Sequence, residues 1–263
     1  MVKTARLAAT ARPWLVYADG FIAANAAALP LQRLEQLRAV ALAESLPFRA
    51  GKPVLLAAHL DRLAEGCRAL AWRDPDRSLI AKVCRALPAK NRMKAGSLRL
   101  RWWGGLEKPL LLGLAFAPGP LPEHGLRLMT SAVRHYGPDS LNARAKAATM
   151  LPNWLSKAET QAWADDGLRL TPDGLVAEAV WSNLVAVKRG VARTPPLHQG
   201  VLEGVTRGAF LRRLRAKGLD VREEPLTRYD LWTADQVWVT SSIRGALRVK
   251  EVDGRGIGGP GYS

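Results

Sequence analysis

Four short segments of this chain hold residue types that together suit one kind of chemistry. "NARAKAATMLPNWLSKAE" places Lys146 where an irregular stretch meets a helical one, and "TPDGLVAEAVWSN" places Glu178 32 positions later in an apolar, strand-like run. "LEGVTRGAF" puts Val205 and Thr206 after a glycine at the start of a helix, and "VWVTSSIRG" ends a strand on Ser241 and Ser242. A lysine amine forms a Schiff base with an aldehyde when its surroundings lower its pKa enough to free the lone pair. A carboxylate holds a pyridine nitrogen protonated and so makes the ring an electron sink. Free N–H groups at a helix start, with hydroxyls beside them, cup a phosphate, and the helix dipole adds about 0.3–1 kcal/mol per charge. The set suits an aldehyde cofactor that carries a phosphate. Each member alone has an ordinary reading as well, Lys146 as a solvated loop lysine and Glu178 as a cross-strand ion-pair partner. Lys157, in "WLSKAET", is the rival amine, eleven residues beyond Lys146.

Such residues need elements to hold them. "WLVYADGFIAA" reads as a hairpin turning at Asp19-Gly20. Helical spacing runs from Leu31 to Ala43, with Leu34, Leu37 and Ala41 recurring, and a second helix opens after Pro53 with Leu60, Leu63, Cys67 and Leu70 on one face. Strands are expected at Ser97–Trp103 and Pro109–Phe116, and the Pro- and Gly-rich "APGPLPEHG" (Ala117–Gly125) is the linker candidate. "LRLMTSAVR" then reads as a strand and "HYGPDSLNARAK" as a loop, and a helix follows with Leu151, Trp154, Leu155, Ala158 and Ala162 on one stripe. Short strands punctuated by "TPDG" and "KRG", a helix from Thr206, and the strands "QVWVTSS" and "ALRVKEVDG" complete the chain. Many short strands with few helices predict an α+β fold, not a parallel sheet.

At 263 residues, 48% hydrophobic and 24% charged, the chain is long enough to bury a core and is globular by composition. It contains no apolar run of about 18 residues, and Met1–Pro13 lacks the apolar centre of a signal peptide, although its basic start imitates a transit peptide. Cys67 and Cys84 match neither a metal spacing nor a disulfide framework, so a reducing cytoplasm is expected, with Cys67 in the core. The net charge of +16 raises nucleic-acid binding, yet the cations are dispersed. The densest group, "RRLRAKG" (Arg212–Gly218), reads as the solvated side of a short helix. Among the nine tryptophans, Trp154, Trp163 and Trp238 sit in elements where core packing is the usual role.

"HLDRL" (His59–Leu63), "AKAATMLPNWLSKAE", "DGLVAEAVWSNLVAVKRGVARTPPLHQGVLEGVTR" and "VTSSIRGALRVKEVDGRGIGGPG" resemble the successive motifs of class IV aminotransferases. These are the fold type IV pyridoxal-phosphate enzymes, among them branched-chain and D-amino acid aminotransferases and aminodeoxychorismate lyase. The resemblance spans most of Val54–Gly261 and is strongest from Lys146 to Arg207. It implies two α+β domains, residues 1–118 with the substrate pocket and residues 119–263 with the cofactor, and a homodimer completing the site. It implies pyridoxal 5'-phosphate as cofactor, with Lys146 as the Schiff-base lysine and proton shuttle and Glu178 on the pyridine nitrogen. Arg62, Val205, Thr206, Ser242 and Ser241 fall on the phosphate contacts, and His59 opens the Arg62 motif as a packing residue.

The first half departs from the family pattern. "LRAVALAESLPFR" lacks the glycines of the corresponding run, and "RLRWWGG" carries Trp103 where an arginine usually stands, so Arg101 or Arg134 is the substitute for a substrate carboxylate. Ser45 aligns with a hydroxyl that assists proton transfer in the lyases. The leading expectation is an aminotransferase acting on a small amino or keto acid. The alternative is 4-amino-4-deoxychorismate lyase, which releases pyruvate and forms p-aminobenzoate. A cofactor-binding protein without activity and a basic nucleic-acid-binding module are the remoter readings.

Overall fold

The structure, a computed structural model, describes residues 15–18, 20–24, 40–137, 145–148 and 150–258. Its helices and strands form two sheets, each with its own core, so the α+β expectation holds. The first sheet runs in the order β2-β1-β6-β5-β3-β4. Its strands are β1 (Leu15–Ala18), β2 (Phe21–Ala23), β3 (Leu42–Arg49), β4 (Lys52–Pro53), β5 (Ala95–Trp103) and β6 (Leu110–Phe116). The expected hairpin is there, with Tyr17 opposite Phe21, while Asp19 lies outside the described residues.

The helix expected over Leu31–Ala43 meets a correction at its end, because Leu42 and Ala43 begin β3; residues 31–39 lie outside the described residues. Local propensity favours helix in "AVALAES", but pairing with β5 along all of β3, from Leu42↔Trp102 to Arg49↔Ala95, overrides it. The alternation then sends Leu42, Leu46 and Phe48 into the core. Glu44 shares their face, so the strand carries a carboxylate inward.

Helices α1 (Leu56–Ala69) and α2 (Arg77–Lys90) supply the rest of this core. The α1 stripe is the expected one, with Leu60, Leu63 and Cys67 buried. Helix α2 is an addition to the expected elements. Asp76 caps it by accepting from Leu79 N at 2.9 Å, and Ile80, Val83, Cys84 and Leu87 follow at helical spacing.

No helix or strand lies between Phe116 and Leu126. The second sheet follows, in the order β12-β11-β10-β13-β14-β7-β8-β9, with β15 (Arg255–Gly256) pairing β14. Its strands are β7 (Leu126–Thr130), β8 (Asp166–Leu170), β9 (Val176–Ala179), β10 (Asn183–Lys188), β11 (Val191–Thr194), β12 (Asp220–Glu223), β13 (Gln236–Ser241) and β14 (Gly245–Val252). Helix α3 (Leu151–Thr160) lies on β8, α4 (Val205–Ala216) packs Leu211 and Leu214 against Val185, Val187 and Ala192, and α5 is Arg228–Trp232. Trp238 is half-buried beside that last cluster, 5.6 Å from the ring of Phe210, as its strand position suggests.

The orientation of α3 corrects the expected stripe. The helix buries Ser156 and Thr160, and leaves Leu151, Trp154 and Leu155 more than half exposed, at 63%, 64% and 51%. Trp163 lies past the helix end and is exposed as well. The cause is a close approach: a Cβ on Gly167 of β8 would stand 2.7 Å from Ser156 Oγ and 3.0 Å from Thr160 Oγ1. Only small side chains fit that seam, so the apolar face turns outward.

Candidate active site

Lys146 sits in a short segment laid against the start of β3. Ala43 N donates to Lys146 O at 2.8 Å, and Ala148 N donates to Ala41 O at 2.6 Å. Burial pushes the Lys146 amine below the ordinary lysine range, and the Arg62 guanidinium pushes it further; Glu44 and Glu178 oppose them, and Arg101 adds a smaller push down. Four charged groups therefore bear on one amine. Lys157, the rival, donates its Nζ to Asp165 O at 2.9 Å near the end of α3.

Glu178 stands on β9, and its carboxylate meets four donors. Oε1 lies 3.1 Å from His135 Nε2 and accepts from Arg169 Nη2 at 3.4 Å. Oε2 accepts from Asn183 Nδ2 at 3.1 Å and Leu202 N at 3.2 Å. Burial raises its pKa, but the His135 hydrogen bond and charge, Arg169 and Leu202 N outweigh that, and the carboxyl ends below the usual range. The ordinary reading of Glu178 as a cross-strand ion-pair partner is thus realised alongside the chemical one, since Arg169 is its register partner on β8. Neither Arg169 nor His135 belongs to a motif that the sequence singles out.

Asn183 also donates to Leu202 O at 2.8 Å, which ties Glu178 to the loop before α4. Gly204 makes this possible: a Cβ there would meet Asn183 Oδ1 at 1.9 Å. From Gly204 the chain enters α4, whose N-terminus has no side-chain cap, so its first N–H groups stay available to an anion. Thr206 Oγ1 donates to Ser242 Oγ at 3.2 Å across this start. Ser241 Oγ accepts from Arg244 N at 3.4 Å, which shapes the turn bearing Ser242.

Arg62 reaches the same place from α1. Its Nε and Nη2 donate to the two oxygens of Glu44 at 2.8 and 2.7 Å, and its Nη1 donates to Glu203 O at 3.0 Å. His59 Nδ1 lies 2.7 Å from Glu44 Oε2, so His59, one helical turn before Arg62, supports the same carboxylate. Burial opposes ionisation of Glu44, but Arg62 and His59 win and hold it down to about 2. Of the five N–H donors of a guanidinium, two on Arg62 keep no partner among the described residues.

The expected substrate residues divide. Arg101 and Trp103 share the face of β5 opposite the core residues Leu98, Leu100 and Trp102. Arg101 pairs in register with Ala43, whose N–H is on Lys146 O, and Trp103 Nε1 is buried without a partner among the described residues. Ser45 is half-buried, in register with Arg99. Arg134 is exposed, and its neighbour His135 is the residue turned onto Glu178.

An amine with a lowered pKa, a fully hydrogen-bonded carboxylate and an uncapped helix start flanked by hydroxyls and spare guanidinium donors fit pyridoxal phosphate. The arrangement leaves one candidate partner for each end of that molecule: Lys146 could meet the aldehyde, Glu178 the ring nitrogen, and Arg62, Thr206, Ser242 and the α4 N–H groups the phosphate.

Comparison with known proteins agrees. The family described as Amino-transferase class IV matches residues 41–252. A protein of Methanocaldococcus jannaschii assigned as a branched-chain-amino-acid aminotransferase is 34% identical over 219 residues, 78% of this chain and 76% of that one. The crystal structure of the Escherichia coli branched-chain amino acid aminotransferase superposes with a TM-score of 0.85 at 22% identity, over 94% of this chain and 89% of that one. The branched-chain aminotransferase of the thermophilic archaeon Thermoproteus uzoniensis, solved with norvaline, gives 0.86 at 21% identity over 94% and 90%. These two likenesses show the fold.

Proposed function

The chain belongs to the class IV aminotransferase family of pyridoxal-phosphate-dependent enzymes, and on that premise we propose that it moves an amino group between a small apolar amino acid and a keto acid, with Lys146 as the catalytic amine and Glu178 as the ring partner. The observation that carries the reading is the hydrogen-bonded meeting of the segments that bear these residues: Ala43 N donates to Lys146 O, Arg62 bonds both Glu44 and Glu203 O, and Leu202 N, just before α4, donates to Glu178. Apolar donors are favoured by the branched-chain relatives, all from the same family.

Bound pyridoxal phosphate supplies an aldehyde for the donor amine and a ring that takes up the electron pair left at the substrate Cα. Lys146, whose pKa is lowered by burial and by Arg62, would accept the proton from that Cα and deliver it across the nitrogen to the former aldehyde carbon. Glu178, ionised by its four donors, keeps a proton on the ring nitrogen. Arg62 and the α4 start fix the phosphate end, and Glu44 holds Arg62 in place. Arg101 pairs with the substrate carboxylate, with Trp103 beside it on the same face of β5.

Residues of both proposed domains, 1–118 and 119–263, contribute to the site, and their separate sheets support that division. The exposed face of α3, where Trp154 packs edge-on against Trp181 at 5.6 Å, is the surface on which a second copy of the chain would complete the site as a homodimer. Cys67 and Cys84 are free and buried, which suits a reducing cytoplasm. No helix among the described residues is long and apolar enough to cross a membrane.

The test is a comparison of Arg101→Met with wild type on leucine, valine and glutamate as donors to 2-oxoglutarate or 2-oxoisocaproate. A rise in KM of about tenfold or more, as expected for a lost charge-assisted pair, supports Arg101 as the carboxylate partner. Unchanged KM for every donor removes it from that role.

A further inference from the structure

Among the described residues Arg169 is the largest fully buried side chain, 2% exposed, and its Nε and Nη1 have no hydrogen-bond partner there. A buried cation with donors to spare is costly, so its position calls for a compensating role. Its hydrogen-bond partner among the described residues is Oε1 of Glu178 at 3.4 Å, reached across the β8–β9 pairing where the two residues stand in register. A salt bridge for stability alone would place both ends of the guanidinium on acceptors. Here one end meets the carboxylate that the ring nitrogen also needs.

We infer that Arg169 is a positioning residue that shares the Glu178 carboxylate with the ring nitrogen, and so weakens the hold of that nitrogen on its proton. The inference rests on the reading of Glu178 as the ring partner. The charges around the carboxylate are few. His135 reaches Oε1 from the segment after β7, Asn183 and Leu202 N reach Oε2 from β10 and the loop before α4, and the Lys146 amine senses Glu178 from the first-sheet side. Tyr136 and, along β8, Asp166 also act on Arg169 electrostatically, and Asp166 is already paired with Arg244 at 3.0 Å. Arg169 is the permanent cation bonded to Glu178, while the Asn183 amide and the Leu202 N–H are neutral. Removing its charge leaves more of the carboxylate's negative field on the ring nitrogen. A unit charge bonded to the carboxylate is expected to move that equilibrium by about one pH unit or more.

The experiment reconstitutes wild type, Arg169→Met, Arg169→Lys and Glu178→Gln with pyridoxal phosphate carrying ¹⁵N in the ring, and follows the ¹⁵N chemical shift with pH. The expected result is a titration midpoint raised by about one pH unit or more in Arg169→Met and a wild-type midpoint in Arg169→Lys, which keeps the charge. A midpoint in Arg169→Met equal to wild type overturns the inference, whatever happens to thermal stability. Glu178→Gln separates the two ideas. A lowered midpoint there with none of the expected shift in Arg169→Met leaves the ring reading standing and removes Arg169, while an unmoved midpoint in Glu178→Gln removes the ring reading itself. Should Arg169→Met fail to fold, Arg169→Gln carries the same comparison.

Discussion

Glu44 is the residue whose replacement has the most directly calculable effect. It is buried, bonded to Arg62 through both oxygens, and held down to about 2 from an ordinary 4.5. That difference corresponds to about 3 kcal/mol of folding stability at neutral pH. Breaking a buried ion pair from one side costs about 3–5 kcal/mol by general experience, so the two routes agree. Glu44→Gln keeps the shape and removes the charge. Because the folded value is depressed, the stabilisation is complete above 4.5 and is lost as pH falls toward 2. The gap between wild type and Glu44→Gln is therefore expected to be about 3 kcal/mol at pH 7 and about 2 kcal/mol at pH 3.5, where the unfolded carboxyl is mostly protonated and the folded one is not. Urea unfolding of both proteins without cofactor, at the two pH values, measures it. A gap below about 1 kcal/mol at pH 7, or one that grows toward acid, refutes the assignment of Glu44 as the ionised anchor of Arg62.

Two further outcomes follow from the geometry. Gly204→Ala puts a Cβ where Asn183 Oδ1 stands, 1.9 Å away, so Asn183 must leave Glu178. Cofactor affinity is then expected to fall about tenfold, the effect of losing one or two buried hydrogen bonds, as read by fluorescence titration with pyridoxal phosphate; equal affinity would show that the Asn183 link is idle. Trp154→Glu places a charge on the exposed face of α3. Light scattering should show a dimer in wild type and a monomer in the variant, and a dimer in both would move the interface elsewhere.

Much of the proposed cofactor side is legible in the sequence because its residues lie in short contiguous motifs. Lys146, Glu178, Thr206 and Ser242 each sit at or near the end of an element, where a glycine or a change of periodicity marks the position. What escapes a linear reading is any residue whose meaning is set by long-range pairing. Arg169 is one more cation among 39 until the β8–β9 register puts it beside Glu178. His135 gains its role only because the segment after β7 brings it onto β9, while its neighbour Arg134 is the more obvious choice in the sequence. Glu44 looks helical, since Ala, Leu and Glu favour that state locally, and only the pairing with β5 turns it inward onto Arg62. The stripe of α3 is legible as amphipathic, but its buried side is not. The small residues Ser156 and Thr160, facing Gly167, decide which side is covered. The preference for amino transfer over elimination rests on the relatives, because Ser45, the residue that speaks for the lyase, is only half-buried opposite Arg99.

The central claim is that Lys146 is the amine that holds the cofactor. Wild-type protein mixed with pyridoxal phosphate, reduced with borohydride and digested, tests it directly by mass spectrometry of the peptides. The expected result is a phosphopyridoxyl label on Lys146, with about one label per chain and none when the experiment is repeated on Lys146→Ala. Label spread over surface lysines, or concentrated on Lys157, would contradict it.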